Sequence, residues 1–230
     1  MIPLAAVQQS DLICHGEFTG VAMGDVKKNF ERWRRKVPED TAVLLDQVLE
    51  KVIPDFKAQG FSWYGDYAGG KFSEIGPNTV PLQRRTTEEW PTVEFHFDQG
   101  GEPRFSVYFG VIQPVNYRLD GKVYHRDHAI VCYAPAYFLL KKNDKPGSGI
   151  FGLTHGWYYD SNKKIESEIA ECRKLLPIVF ELFDNGIPDG WLTSNFGKVA
   201  PHIWLMGSWY INEQRRIARG FKLEEQNSKG

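Results

Sequence analysis

The chain has 230 residues, of which 42% are hydrophobic and 25% are charged, a balance typical of a globular domain with a real core. Its 28 Lys and Arg against 29 Asp and Glu leave a formal net charge of -1, which excludes a global field favouring nucleic acid or an anionic membrane. Three widely spaced cysteines predict a reduced, cytoplasmic protein. The sequence has no signal-peptide pattern and no apolar run of about 18 residues, so we expect no membrane partner.

Residues 1–24 show no clear hydrophobic period and are predicted to form an irregular lead-in. A short basic helix is predicted at residues 25–37, with Asp25 as a candidate N-cap and Pro38 at its end. Its apolar stripe comprises Val26, Phe30, Trp33 and Val37. Its other positions carry six cations, which are Lys27, Lys28, Arg32, Arg34, Arg35 and Lys36. This is the one concentrated basic surface in the sequence.

A second amphipathic helix is predicted at residues 41–59, capped by Asp40 or Thr41. Pro54 removes one backbone donor from this helix, which predicts a kink. Gly60 follows at the position of a left-handed C-cap.

An aromatic and glycine-rich stretch at residues 61–72 predicts a strand or a loop. Trp63, Tyr64 and Tyr67 lie among its glycines, where a backbone with unusual dihedral angles can present aromatic rings to a ligand. The alternative is that these rings cap the core. Residues 80–85 predict a strand that leads into the next element.

The strongest pattern lies between Trp90 and Ile112, where two arms alternate apolar and polar residues around a glycine-rich loop. One face collects Val93, Phe95, Phe97, Phe105, Val107, Phe109 and Val111. The other collects Glu94, His96, Asp98, Arg104, Ser106 and Tyr108. An antiparallel hairpin with one buried face and one solvated face accounts for this alternation.

Beyond the hairpin, Asp120 and Gly121 predict a two-residue turn in a second hairpin. Further strands are predicted at residues 136–141 and 150–159. The clearest helix is predicted at residues 162–185, bent at Pro177. A C-terminal extension completes the chain at residues 187–230, with a short helix at about residues 208–219.

Together the elements predict an α+β fold, in which amphipathic helices pack on one face of an antiparallel meander sheet. We expect a single domain over residues 1–230, with the helix-sheet-helix core at residues 41–186.

The order of these elements resembles an uncharacterised bacterial family, the domain of unknown function numbered four thousand three hundred and four. The matching pieces are a helix closing on Gly60 and Phe61, an aromatic strand, Leu82-Gln83-Arg84 before a strand, an inner strand at residues 105–110, and Leu175-Leu176-Pro177 in the late helix. The resemblance covers roughly residues 41–186. It implies a bacterial, cytosolic helix-and-sheet domain and assigns no catalytic residue.

Two clusters are candidates for acid-base chemistry. Glu94 and His96 are neighbours on the polar face of the hairpin, and a carboxylate beside an imidazole suits general acid-base work in a cleft. His125, Asp127 and His128 form the densest set of possible ligands. However, residues three apart point to opposite sides of a strand, which disfavours a metal site, and we predict no metal or cofactor. The alternatives are an ordinary solvated sheet face and a solvated loop.

Three functions follow from these patterns. The leading hypothesis is a non-enzymatic bacterial protein-interaction module, for instance of the immunity or inhibitor type, that binds through exposed aromatic and charged residues. Its candidate binding residues are Trp63, Tyr64, Tyr67, Lys28, Arg32, Arg34 and Arg35. The alternatives are a hydrolase or nuclease that uses a His/carboxylate site on the sheet, and nucleic-acid binding through the basic helix.

Overall fold

The structure is a computed structural model that describes residues 24–63, 71–72, 76–86, 89–112, 117–119, 122–124, 131, 134, 136–143, 145, 148–152, 161–192 and 197–208. The predicted lead-in up to residue 23, most of the strand predicted at residues 150–159 and nearly all of the helix predicted at about residues 208–219 lie outside these residues.

The first half of the chain contains β1 Gly24–Asp25, α1 Val26–Arg34, α2 Glu39–Gln47, a π-helical turn Val48–Val52, α3 Ile53–Ala58, β2 Ser62–Trp63, β3 Lys71–Phe72, β4 Thr79–Gln83, β5 Trp90–Phe97 and β6 Arg104–Ile112. The second half contains β7 Tyr117–Leu119, β8 Lys122–Tyr124, β9 Ala136–Leu140, β10 Phe151–Gly152, α4 Ser161–Asn185, α5 Asp189–Leu192, β11 Gly197–Ala200 and β12 Ile203–Ser208.

Eight of these strands form one antiparallel sheet in the order β11-β12-β9-β6-β5-β4-β2, with β10 also pairing with β6. Apart from β10 and β11, the order in space follows the order along the chain, so the predicted meander is confirmed. The second hairpin is confirmed as well, because β7 pairs with β8 and Leu119 lies opposite Lys122.

The central hairpin pairs from Trp90 opposite Ile112 to Phe97 opposite Phe105. All seven apolar side chains of its predicted inner face are buried in one core. That core also contains the apolar faces of α2, the π-helical turn, α3 and α4, so the helices pack on this face of the sheet. The predicted fold class is therefore confirmed.

The helix predicted at residues 41–59 begins two residues earlier, at Glu39, and its N-cap is Pro38 rather than Asp40 or Thr41. Thr41 is buried instead and donates its hydroxyl to the carbonyl of Gly101. That bond ties the helix to the loop of the central hairpin.

A π-helical turn, Val48–Val52, divides this helix just before Pro54, and the kink predicted at Pro54 stays a prediction. The N–H of Ile53 donates to the carbonyl of Val48, five residues earlier. Pro54 lies at the start of α3, where the absence of an N–H costs least. Gly60 then ends the helix with φ +80°, and Phe61 N–H donates to Phe56 O at 3.1 Å, a Schellman C-cap.

Helix α1 begins directly after Asp25 and ends at Arg34, three residues short of the predicted boundary. Its apolar side docks on the core: Phe30 is fully buried, and the Trp33 ring lies 6.0 Å from that of Phe97. The helix therefore presents its remaining side outward.

The opposite face of the sheet is not the solvated face that the alternation predicted. A second, smaller core lies there, formed by Trp90, Tyr108, Ile112, Val131, Ala134 and Tyr137. Residues at positions of the same parity along a strand share a face, so Glu94 lies in the same row as Trp90. Val131 belongs to this second core and donates its N–H to Glu94, which is buried.

The segment predicted as a C-terminal extension contributes to the same sheet. Strand β12 pairs with β9, from Ile203 opposite Leu140 to Ser208 opposite Ala136. Ile203 and Leu205 are buried in the main core. Among the described helices, none has the length and apolar character needed to traverse a bilayer.

Candidate functional site

Strand β5 places Glu94 and His96 side by side on the second face, because residues two apart on a strand point the same way. The Oε2 atom of Glu94 lies 2.7 Å from Nε2 of His96. The other carboxylate oxygen, Oε1, accepts the backbone N–H of Val131 at 2.7 Å. The Glu94 side chain is only 4% exposed, whereas that of His96 is 30% exposed. The pair therefore has a buried carboxylate behind an accessible imidazole.

The hydrogen-bond pattern determines the tautomer of a neutral His96. An ionised carboxylate only accepts hydrogen bonds, so Nε2 must carry the hydrogen that faces Glu94. The Nδ1 atom is then the acceptor, and it bonds to none of the described residues. The Tyr108 ring meets the imidazole edge to face, with 4.9 Å between ring centroids, and holds it in place. In this arrangement the lone pair of the neutral His96 ring is on Nδ1, and the contacts with Glu94 and Tyr108 fix the orientation of the ring.

A row of polar side chains continues along the same face toward Trp90. Gln83 donates through Nε2 to Thr92 Oγ1 at 2.9 Å and accepts from Arg85 Nε at 2.7 Å. Both Gln83 and Thr92 are buried, and the Arg85 guanidinium lies 4.2 Å from the centre of the Trp90 ring. Sequence reasoning missed this row. The available signal was Trp90 and Ile112, two large apolar residues on the face predicted to be solvated.

Arg104 and Asp98 share the face with His96 but belong to a separate ion pair. Arg104 bonds Asp98 Oδ2 through Nε at 2.9 Å and Nη2 at 2.7 Å, and its Nη1 lies 2.8 Å from Glu102 Oε2. Ser106 lies opposite His96 in register and makes no hydrogen bond to it. The Arg104 guanidinium is thus bonded to Asp98 and Glu102 rather than to His96.

The basic helix is the second candidate site, although Arg34 does not contribute a free charge to it. Arg34 bonds Asp46 on α2. Arg32, Arg35 and Lys36 are exposed, and their side chains pair with none of the described residues. We call these three residues the α1 basic surface. Lys28 is also exposed on this helix.

The contrast with the other arginines is clear where the structure describes their side chains. Arg34, Arg84, Arg104 and Arg173 each bond a carboxylate, and Arg85 stacks on Trp90. Arg32 and Arg35 alone in this described set lack such a partner.

The remaining candidates divide into two groups. Trp63 is half-buried and packs against the core, with its ring 5.3 Å from that of Phe30, so it caps the core. Tyr64, Tyr67, His125, Asp127 and His128 lie outside the described residues. In sequence, Val131, which bonds Glu94, follows His128 by three positions.

Neither thiol nor metal chemistry is indicated in the described part of the chain. Cys172 is fully buried on α4, and burial, followed by the charges of Glu168 and Asp55, raises the pKa of its thiol far above the usual range. No group of three or more His, Cys, Asp or Glu is placed to hold a metal ion among these residues.

No protein-family model, no curated protein and no solved structure matches this chain. The resemblance to the bacterial family named above therefore stays a prediction.

Proposed function

We propose that this protein is a bacterial protein-interaction module that binds an acidic surface of another protein through the α1 basic surface. The single observation that supports the proposal is the set of unpaired cations at Arg32, Arg35 and Lys36. A protein that covers a partner's acidic site in this way would act as an inhibitor or immunity-type protein.

Electrostatics support a binding role for this surface. Like charges three or four residues apart on a helix disfavour it by about 0.2–0.5 kcal/mol per pair. The helix dipole offsets part of that cost, because the cations lie at the C-terminal end of α1. A partner with carboxylates opposite these residues would gain charge complementarity, which raises the association rate and selects the partner.

The neighbouring acids favour a protein partner over nucleic acid. Glu39 is exposed just beyond the α1 basic surface, and Asp40 follows it in the first turn of α2. These carboxylates repel a continuous phosphate backbone, whereas a protein surface of mixed charge can accommodate them.

The proposal is tested by affinity capture from the source cells, followed by titration of the captured partner. Reversing two charges with Arg32→Glu and Arg35→Glu should weaken binding at least about tenfold, since each lost interfacial pair removes a favourable contact and adds a repulsive one. The matched control is Lys57→Glu with Lys174→Glu, which reverses two exposed cations elsewhere. We expect it to bind like the wild type.

Equal affinities of the wild type and the Arg32, Arg35 double variant would overturn the proposal. Duplex DNA provides a separate arm of the experiment. Saturable binding of DNA that weakens steeply with salt, and that the same double variant abolishes, would replace the protein partner with nucleic acid.

A further inference from the structure

We infer that His96 and Glu94 form a general-base site for the hydrolysis of a neutral carboxylic ester. The inference is independent of the α1 basic surface, which lies on another element. It rests on the Glu94–His96 contact, the Val131 N–H on Glu94, and the imidazole side chain, which is 30% exposed and whose Nδ1 bonds to none of the described residues.

The carboxylate is held more firmly than a surface glutamate would be. Each of its two oxygens has a partner, and the side chain is buried. Burying a carboxylate costs free energy unless its bonds compensate, and an apolar residue would serve packing alone at least as well. What the carboxylate adds is orientation of the ring and a fixed hydrogen on Nε2.

The step proceeds as ordinary general-base hydrolysis. A water oxygen forms a bond to the acyl carbon while one of its protons passes to Nδ1 of His96. The bond between the acyl carbon and the alkoxide oxygen then breaks, and the proton on Nδ1 passes to the departing alkoxide. The products are the carboxylic acid and the alcohol. Ser106 is not assigned as the nucleophile, because it makes no hydrogen bond to the ring.

Charge around the site selects a neutral substrate. The buried Glu94 carboxylate repels anions, and Arg104 is already engaged by Asp98 and Glu102. Phosphate esters need cations or a metal to neutralise the transferring group, and the described surroundings of His96 supply neither. The site therefore fits an acyl ester better than a phosphodiester.

Nuclear magnetic resonance of the ring nitrogens tests the positioning role of Glu94. In Glu94→Gln, the amide oxygen still accepts the Val131 N–H, which turns the amide NH₂ toward His96 Nε2. Nε2 must then accept a hydrogen bond from the amide, so the neutral ring carries its hydrogen on Nδ1. Nδ1 can then no longer act as the general base. We expect the Nε2–H form in the wild type and the Nδ1–H form in the variant. The same tautomer in the wild type and the variant would show that Glu94 does not set the tautomer of His96.

Turnover of p-nitrophenyl acetate by the full chain tests the catalytic role of His96, with p-nitrophenyl phosphate as the anionic comparator. His96→Ala and Glu94→Gln should each lower kcat/KM about 100-fold or more, and added imidazole should restore part of the His96→Ala activity. Glu89→Gln removes an exposed carboxylate elsewhere and should leave turnover unchanged. His96→Gln, whose amide can still donate to Glu94, provides a second variant if His96→Ala fails to fold.

Wild-type turnover no faster than that of the unfolded protein would overturn the inference. So would undiminished turnover in folded His96→Gln, or faster turnover of the phosphate than of the acetate.

Discussion

Asp98 shows how one side chain joins the end of a strand to the loop that follows. Burial acts to raise the pKa of this carboxyl, but hydrogen bonds from Arg104 and from the backbone N–H groups of Glu102 and Gly100 outweigh it. The positive charge of Arg104 acts in the same direction, and the pKa lies below its usual value of 3.8. The ionised carboxylate is thus bound more tightly in the folded protein than in the unfolded chain.

The substitution Asp98→Asn should lower the free energy of unfolding by about 1 kcal/mol at pH 7, the value of a charged hydrogen bond reduced by partial solvent screening. A carboxyl whose pKa falls on folding stabilises the protein above its unfolded pKa, and loses that effect as the pH falls through its folded pKa. Wild type and variant should therefore differ by a constant amount above about pH 5, and the difference should shrink as the pH falls below the usual value of 3.8 and through the lower folded pKa.

Urea unfolding at a series of pH values measures this difference. Glu181→Gln, an exposed carboxyl on α4, is the control. A difference that stayed constant down to pH 3 would contradict the assigned role of Asp98.

Individual side chains show where sequence reasoning succeeds and where it stops. Glu94 and His96 were identified as neighbours because alternation along a strand requires it. The burial of Glu94 was not, since its other partner, Val131, is 37 residues away along the chain. Alternation along one strand gives no information about contacts with residues so far away in the sequence. It likewise does not show that Arg34 would pair with Asp46 and leave Arg32 and Arg35 unpaired.

At the scale of elements, two glycines carry out different tasks. Gly60 has φ +80° in the C-cap of α3, and a methyl group there would make only an ordinary contact with Arg84. Gly152 has φ +117° in β10, and a methyl group there would lie 2.3 Å from the carbonyl oxygen of Pro103. Residue 60 therefore requires glycine only for its positive φ. Residue 152 requires it both for its positive φ and because there is no room for a Cβ atom.

We predict that Gly60→Ala lowers the free energy of unfolding by about 1 kcal/mol, the cost of a left-handed conformation for a residue with a Cβ atom. Gly152→Ala should cost clearly more, because a backbone carbonyl must shift as well. Urea denaturation of both variants measures the two values. Equal decreases in the free energy of unfolding of the two variants would contradict this prediction, because they would show that the Pro103 carbonyl can shift away from the new methyl group at no cost in stability.

The elements themselves were largely predictable. The central hairpin, the Gly60 cap and α4 each depend on contacts between residues close in sequence, which is why period and capping signals identified them. The helix start was placed two residues late, because Asp40 and Thr41 look like caps but lie inside the first turn. Thr41 binds the distant Gly101 instead.

For the whole molecule, the sheet joins residues from both ends of the described chain into one core. Leu205 on β12 and Leu82 on β4 are buried in the same cluster, although three strands, β9, β6 and β5, lie between β12 and β4 in the sheet. Strand β12 lies in the segment predicted from the sequence as a C-terminal extension, where no strand was predicted. Its position beside β9 depends on pairing that local patterns do not encode.

Leu205→Ala should therefore lower the stability of the whole protein by about 3 kcal/mol, through lost burial and the cavity that remains. We expect circular dichroism and tryptophan fluorescence to report one shared transition in urea, at a lower midpoint than for the wild type. A variant that shows two separated transitions would mean that β12 belongs to an independent unit.

The pairing of β12 with β9 also affects how the protein is made. Leu140 on β9 pairs with Ile203, which the ribosome adds about 60 residues later. At synthesis rates of about 5–20 residues per second, β9 therefore lacks its β12 neighbour for several seconds. During that interval its backbone groups are open to any extended segment that a nascent chain or a neighbouring polypeptide offers. Production at lowered temperature or with added chaperones should therefore improve the yield of native material more than slower refolding of the finished chain does.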